Sequence, residues 1–273
     1  MLPALACPVC GAALAPDALP RPSLLRCPNG HSADVARQGY VSLLRGRHAT
    51  SGDTAAMVQA REELLGSGHY RPIQDAVAAA VPADARLVVD LGCGTGAYLA
   101  AVLDAHPEAA GLGLDLSAPA ARRAARAHPR AAIATVDLWQ PLPLADGCAD
   151  ALLTVFAPRN APEMLRVLRA GGTAVVVTPR ERHLHEIRPV FGMLGIDAGK
   201  AERLDEQLAG FALTERRELD YAVAMTPAEL RAEVLMGPSA HHVDAGALVA
   251  VLAEREGTTD VTVAVTVSVF SRA

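Results

Sequence analysis

The sequence predicts an α/β protein with a mostly parallel, doubly wound sheet behind a small metal-binding module. Three observations predict it. Residues 87–91 form a short apolar run that ends in alternate glycines, Gly92, Gly94 and Gly96, and leads straight into the apolar periodic stretch 98–103. This order reads as buried strand, tight turn and helix. Strand and helix patterns then alternate as far as residue 178, which suits stacked βα units. Ahead of them stand two short Cys/His pairs, spaced as metal ligands.

The first element is the module at residues 1–48. Cys7 and Cys10 form C-x2-C, and after sixteen intervening residues Cys27 and His31 form C-x3-H. Two ligand pairs on two turns can close a tetrahedron around zinc, and four filled positions make a structural rather than a catalytic site. So small a module cannot bury enough surface alone, so zinc would supply its folding energy, on the order of 10 kcal/mol. The competing reading is a redox C-x-x-C pair, but the βαβ setting of such a pair is absent. Residues 40–44 read as a strand closing the module.

The connector, residues 49–84, begins with the polar stretch 50–53. Asp53 or Thr54 can cap a helix running through Leu65. Residues 66–68 stop it, and Pro72 opens a second helix running to Val81. These helices are expected to cover one edge of the sheet. Tyr70, between them, reads as core packing, because buried tyrosines usually do that.

The glycine turn carries the chemistry. Glycines let the backbone approach a ligand closely, and the helix N-terminus that follows offers free N–H groups. A dinucleotide site prefers G-x-G-x-x-G, whereas here the spacing is G-x-G-x-G. Asp90 precedes the turn, where a carboxylate would repel a pyrophosphate and suit a cationic ligand. S-adenosylmethionine carries an ammonium and a sulfonium and no phosphate. Asp115 comes nineteen residues after Gly96, at the end of the next apolar run, where an acid typically accepts ribose hydroxyls.

Ser117 caps a helix over residues 118–127 with Arg122, Arg123 and Arg126 on its outer face. Residues 131–136 are a third strand. Asp137 beyond it is placed to accept from an adenine amino group, or is an ordinary turn residue. Residues 149–156 are a fourth strand, and 157–160 its loop. Phe156, at the strand end, could stack on a base and Asn160 bond its edge; Phe156 is equally suited to the core. Residues 162–168 are helical and 173–178 form a fifth strand. His183 and His185 lie beyond it, with no catalytic role assigned from spacing. Further on, 204–208 and 227–235 read as helices. Residues 213–223 and 259–270 read as strands, suited to the antiparallel edge of a mixed sheet.

Composition sets the bounds. The chain has 273 residues, 51% of them hydrophobic, enough for one large core plus a small module. No apolar run approaches the ~18 residues of a membrane span. The first residues lack a basic n-region, so no signal peptide is expected. Five cysteines argue against a disulfide scaffold, and the expected location is the cytoplasm. Cys93 and Cys148 read as small apolar fillers. The net charge is −5, yet residues 1–50 carry +3, so a locally basic module sits on an acidic body.

The whole chain resembles the bacterial 23S rRNA guanine-N1 methyltransferases of the RlmA type. The residues that carry this are Cys7-x-x-Cys10, Cys27-Pro-x-Gly-His31, Gly39-Tyr40-Val-x-Leu-Leu44, Gly52-Asp53, Gly68-His-Tyr70-x-Pro72, Val89-Asp-x-Gly-Cys-Gly-x-Gly96, Gly113-x-Asp115, Phe156-Ala-Pro-Arg-Asn160 and Thr178-Pro-x-x-x-His183-Leu. Coverage is thin after residue 185. The resemblance implies a Rossmann-like class I methyltransferase sheet over residues 85–273 and a zinc-binding RNA-recognition module at 1–48. It implies zinc on Cys7, Cys10, Cys27 and His31. S-adenosylmethionine would meet Tyr70, Asp90, Gly92, Gly94, Thr95, Gly96, Ala97, Tyr98, Asp115, Leu116 and His183. The substrate would be a guanine in a 23S rRNA hairpin loop near the peptide exit tunnel. The loop from Phe156 to Asn160 would hold it, and the catalytic base for its N1 proton is open among Asp137, His183 and water. The form of the 156–160 loop resembles the Gram-positive branch, some members of which confer resistance to tylosin-type macrolides. A homodimer is implied as well. Two other classes compete: a small-molecule methyltransferase, active without RNA, and a zinc-bearing ribosome-binding protein that binds the cofactor without turnover.

Overall fold

The computed structural model describes residues 4–19, 22–46, 52–196, 200–243 and 245–272. Residues 50 and 51 of the connector, and Arg21 and Arg47 of the basic module, lie outside them. In chain order the elements are β1 (Ala15–Pro16), β2 (Leu24–Arg26), β3 (Ser32–Asp34), β4 (Tyr40–Ser42), α1 (Ala55–Gly66), α2 (Arg71–Ala80), β5 (Leu87–Leu91), α3 (Ala97–Ala105), β6 (Ala110–Asp115), α4 (Ala118–Ala124), β7 (Ala131–Thr135), β8 (Ala149–Val155), α5 (Ala161–Val167), β9 (Leu168–Pro179), α6 (Lys200–Gln207), β10 (Ala212–Met225), α7 (Pro227–Met236), α8 (Ala245–Ala253) and β11 (Thr259–Ser271).

Eight strands make one sheet in the order β10–β11–β9–β8–β5–β6–β7–β4. The six from β9 to β4 run parallel, and β11 and β10 add the antiparallel edge. From β5 the chain winds outward through β6 and β7, then returns to the other side as β8 and β9. The winding reverses between β5 and β8, and ligands of such sheets sit in the crevice above that point. Both faces are covered, so adjacent residues of one strand enter different cores. Val88 packs with Val77, Leu99, Val102 and Val265 on one face. Val89 packs with Leu112, Leu152, Met164 and Val176 on the other.

The N-terminal module joins this second face. Its strands β1, β2 and β3 form their own antiparallel sheet, but its apolar residues Leu5, Leu14 and Leu25 share a core with Leu114 and Leu144. Backbone bonds from Ala6 to Pro143 (2.8 Å) and from Ala145 to Ala4 (2.9 Å) stitch the two together. The strand expected to close the module does more than that. β4 makes one antiparallel bridge to Val35, while its ladder runs parallel to β7, with Tyr40 opposite Ile133. β7 would otherwise leave an edge of unpaired N–H and C=O groups, and β4 covers it.

The connector also differs from expectation. Thr54 caps α1 by accepting from Met57 N, but α1 does not sheathe a sheet edge. It crosses above the carboxyl ends of the strands, against α4 and α7. Two features fix it there. Ser117 Oγ donates to Asp53 O at 2.7 Å, and Gly52 is so close that a Cβ would lie 2.9 Å from Ser117 Cα.

At the switch point, Gly92 (φ +81°) lies against the loop after β8, where a Cβ would fall 2.6 Å from Ala157 Cβ. Gly92→Ala is therefore expected to cost about 1–3 kcal/mol through overpacking, read as a lower melting temperature. Ala157→Gly in the same chain should recover part of that loss; no recovery would mean that the two loops do not press on one another.

Candidate active site and metal centre

The pocket above β5 is built from three acids and one cation. Asp90 is 1% exposed, and its Oδ2 has no hydrogen-bond partner among the described residues. Burial, with help from the charge of Asp115, pushes its pKa up to about 8. Asp115 closes β6, and its two oxygens accept from Gly94 N and Ser117 N, both at 2.8 Å. Burial raises its pKa, and those two bonds oppose the rise. Tyr98, in the first turn of α3, is also buried, and its hydroxyl has no hydrogen-bond partner among the described residues.

The cation is Arg61 of α1. It forms an ion pair with Asp53, donates from Nη2 to Met236 O at 2.6 Å, and lies against the turn so closely that a Cβ on Gly94 would be 3.1 Å from Nη1. Sequence reasoning missed it, because nothing local to residue 61 says that α1 folds back over residue 94. These groups fit a ligand with positive charge along one side and a carboxylate at its end. Asp90 is a buried acceptor awaiting a donor, Asp115 accepts at the next strand end, and Arg61 is the nearby cation.

Beside this pocket three rings meet. Phe156 and His183 are near parallel, with centroids 6.0 Å apart and an interplanar angle of 14°. Tyr70 stands edge-on to both, at 6.5 and 6.4 Å. Tyr70 is buried as expected, and its hydroxyl donates to Glu233 Oε2 at 3.0 Å. Glu233, on α7, is 3% exposed, and burial lifts its carboxyl to about 7. It too was missed, since 163 residues separate it from Tyr70. Ala264 N donates to His183 Nδ1 at 3.3 Å, which leaves the proton of the neutral ring on Nε2.

Phe156 is not core. It is 41% exposed and has φ +54°, an outlying conformation for a bulky side chain. Strain of this kind persists only where surrounding structure imposes it, and it clusters at functional sites. Asn160 Nδ2 donates to Leu138 O at 3.0 Å, so its amide nitrogen braces two loops. Asp137 Oδ1 accepts from Trp139 N at 3.0 Å, as a turn residue would. His185, also beyond β9, is exposed, and among the described residues its ring meets Arg182 O of its own turn and Glu186.

The metal centre lies in the N-terminal module. The ligand atoms of Cys7, Cys10, Cys27 and His31 all fall within 4.8 Å of one another. Cys10 Sγ and Cys27 Sγ are 3.7 Å apart, and Cys27 Sγ and His31 Nδ1 3.4 Å. Zinc–sulfur bonds of about 2.3 Å at tetrahedral angles place sulfurs about 3.8 Å apart, so the cluster fits zinc. Val9 N donates to Cys7 Sγ at 3.4 Å and Asn29 Nδ2 to Cys10 Sγ at 3.3 Å; such bonds favour the thiolate. The turns are closed by Gly11 N to Cys7 O (2.8 Å) and Gly30 N to Cys27 O (3.1 Å). Chelating the metal, or Cys27→Ser, is expected to abolish hydrogen-exchange protection at Leu14 N, Leu25 N and Cys27 N. Gly92 N, bonded to Leu114 O, should stay protected. Full protection of the module without zinc would refute a structural metal.

Known proteins match this arrangement. The family model described as "RlmA, N-terminal" covers residues 5–51, and the one described as "Methyltransferase domain" covers 88–172. The 23S rRNA (guanine(748)-N(1))-methyltransferase of Streptomyces fradiae is 47% identical over 271 residues, spanning 97% of this chain and 95% of its own. A Micromonospora griseorubida relative, named for 23S rRNA (guanine-N(1)-) methylation, is 49% identical over 97% of this chain and 96% of its own. Among solved structures, the [4+2]-cyclase SpnF matches with a TM-score of 0.56 at 20% identity, covering 80% of this chain and 93% of its own. Phosphoethanolamine N-methyltransferase 2 of Haemonchus contortus, bound to S-adenosylmethionine, matches at 0.50 and 14%, covering 80% and 57%. The structural matches establish the fold alone. The chain's cofactor is S-adenosylmethionine, its N-terminal module is a zinc ribbon, and it belongs to the 23S rRNA (guanine-N1)-methyltransferase family.

Proposed function

We propose that this chain methylates N1 of a guanine in a 23S rRNA hairpin loop, corresponding to the guanine for which the Streptomyces fradiae relative is named. One observation carries the reading: a buried acidic pocket for a cationic donor opens beside an exposed, conformationally strained aromatic ring. S-adenosylmethionine supplies an electrophilic methyl group on its sulfonium. Asp90 would take the ammonium end, Arg61 the carboxylate, and Asp115 the ribose hydroxyls, with the amides from Gly92 to Tyr98 and Leu116 around them. Asp137 would meet the adenine.

The target guanine must leave its stack to reach this pocket. Phe156 would stack on it, Asn160 would hold the loop that presents it, and Tyr70 and His183 would wall the passage between base and donor. The Ala264 amide, which donates to His183 Nδ1, would hold that ring in its orientation. N1 would pass its proton to a base, with Asp137, His183 and water the candidates, and take the methyl in line as its bond to sulfur breaks; much of the rate would come from holding nitrogen and methyl in alignment, up to about 7–11 kcal/mol. In this reading the zinc module contacts the RNA, two chains pair, and the enzyme works on ribosomal RNA in the cytoplasm. Its biological outcome is resistance to tylosin-type macrolides.

Incubating the protein with 23S rRNA fragments and labelled cofactor should put label on N1 of one guanine, located by mass spectrometry. Label on a small molecule, with RNA untouched, would sink the proposal. Asp115→Ala should weaken cofactor binding by calorimetry, and an unchanged affinity would remove its ribose role.

Cofactor binding should also depend on pH. A cation beside Asp90 favours the carboxylate, while the empty pocket holds the proton until about pH 8. Binding below that pH therefore releases a proton. Affinity should rise toward pH 8, by at most about tenfold per unit, and then level off. Asp90→Asn should flatten the profile. In the free protein the sign reverses: the raised pKa lowers stability as pH climbs from the ordinary carboxylate range to about 8.

A further inference from the structure

The chain has nine aromatic side chains, one Trp, four Tyr and four Phe. Among the exposed large hydrophobic residues only two are aromatic, Trp139 at 57% and Phe156 at 41%. Both stand on loops at the carboxyl ends of strands around the same pocket. The loops are joined, since Asn160 Nδ2 bonds Leu138 O at 3.0 Å. Trp139 follows one partner of that bond, and Arg159 precedes the other.

The turn that carries Trp139 is itself held. Trp139 N donates to Asp137 Oδ1 (3.0 Å) and Gln140 N to Asp137 O (3.1 Å). A rigid turn thus keeps a large apolar ring in water, where it contributes nothing to the core. Arg159 supplies a second, independent observation. It is half-buried, and its hydrogen bonds are long and go to neutral acceptors, Ala157 O at 3.3 Å and Gln207 Oε1 at 3.4 Å. No carboxylate pairs with it among the described residues. Burial moves its pKa downward.

We propose that Trp139 and Arg159 form a nucleotide subsite next to the target guanine: the indole stacks on a neighbouring unpaired base, and the guanidinium binds that nucleotide's phosphate. The chemistry favours single-stranded RNA. A flat, exposed ring offers a stacking platform to any base, unpaired loop bases are free to stack on aromatic side chains, and a guanidinium without a counter-ion matches a phosphate. The subsite rests on the rRNA reading above and adds a second contact to it, outside the donor pocket.

Trp139 is the single tryptophan, so the intrinsic fluorescence of the full-length, zinc-loaded protein reports on this subsite. Titration with a 23S hairpin RNA should quench it, and S-adenosylmethionine alone should change it far less. Trp139→Ala should raise KM for the hairpin by about tenfold or more, well beyond its effect on kcat, and preserve calorimetric affinity for the cofactor. Trp139→Phe should recover part of the loss. Arg159→Gln should lower the salt dependence of RNA binding by about one counter-ion. If RNA is methylated with tryptophan emission unchanged, or if Trp139→Ala weakens cofactor binding and leaves the KM for RNA intact, the subsite is wrong while the rRNA reading stands. If the wild-type protein neither binds nor methylates the hairpin, both fall.

Discussion

A carboxyl group kept away from water, with one oxygen accepting nothing, is costly to hold, and here it stands at the tip of the central strand. Asp90 cannot move out to solvent, because β5 is flanked by β6 and β8 and covered on both faces. The cost is limited by keeping a proton, as its pKa of about 8 implies. It is removed altogether when a cation arrives. Much of the surrounding structure serves that exchange. The glycine turn brings backbone close to the acid, Asp115 accepts from Gly94 N in the turn and from Ser117 N at the start of α4, and Arg61 lies over Gly94.

The same constraint explains why the pocket needs a cover. An acid that binds its ligand through charge works far better out of water. α1 and α7 come together above the strand ends, tied by Arg61 to both Asp53 and Met236 O. The N-terminal module performs the matching task below, closing the β7 edge through β4 and burying its leucines under the second face. Ribbon and catalytic sheet therefore share one core and one continuous set of strands.

Features confined to consecutive residues were legible in the sequence. Asp90, the three glycines and α3 occupy one strand–turn–helix unit, and the zinc ligands come in two short pairs, so local spacing carries both. Features made by long-range contact were not. The ladder of β4 depends on β7, ninety residues away, and no periodicity names a partner strand. Glu233 reads as one more helix residue until Tyr70 reaches it. α8 is apolar almost throughout, a pattern that does not separate helix from buried strand. Phe156 shows the limit most clearly: its identity is equally suited to core or to stacking, and only its backbone angle and exposure decide.

Net charge misleads about RNA for a related reason. The count of −5 treats every carboxylate alike, whereas recognition depends on which charges face the partner. Asp90 and Glu233 are buried, and burial raises both carboxyls, so neither stands as a carboxylate on the surface that a partner meets. Other acids are spent on arginines: Glu163 and Asp146 on Arg166, Glu108 on Arg86, Asp205 on Arg216. An RNA loop approaching the rim would meet Trp139, Phe156 and Arg159, two aromatic rings and a guanidinium without a carboxylate partner among the described residues. The field a phosphate feels at that rim is local, because charges more than about 8 Å away are largely screened at physiological salt. An acidic protein can thus offer a nucleic acid a neutral or positive face, provided its acids are buried or paired near the site.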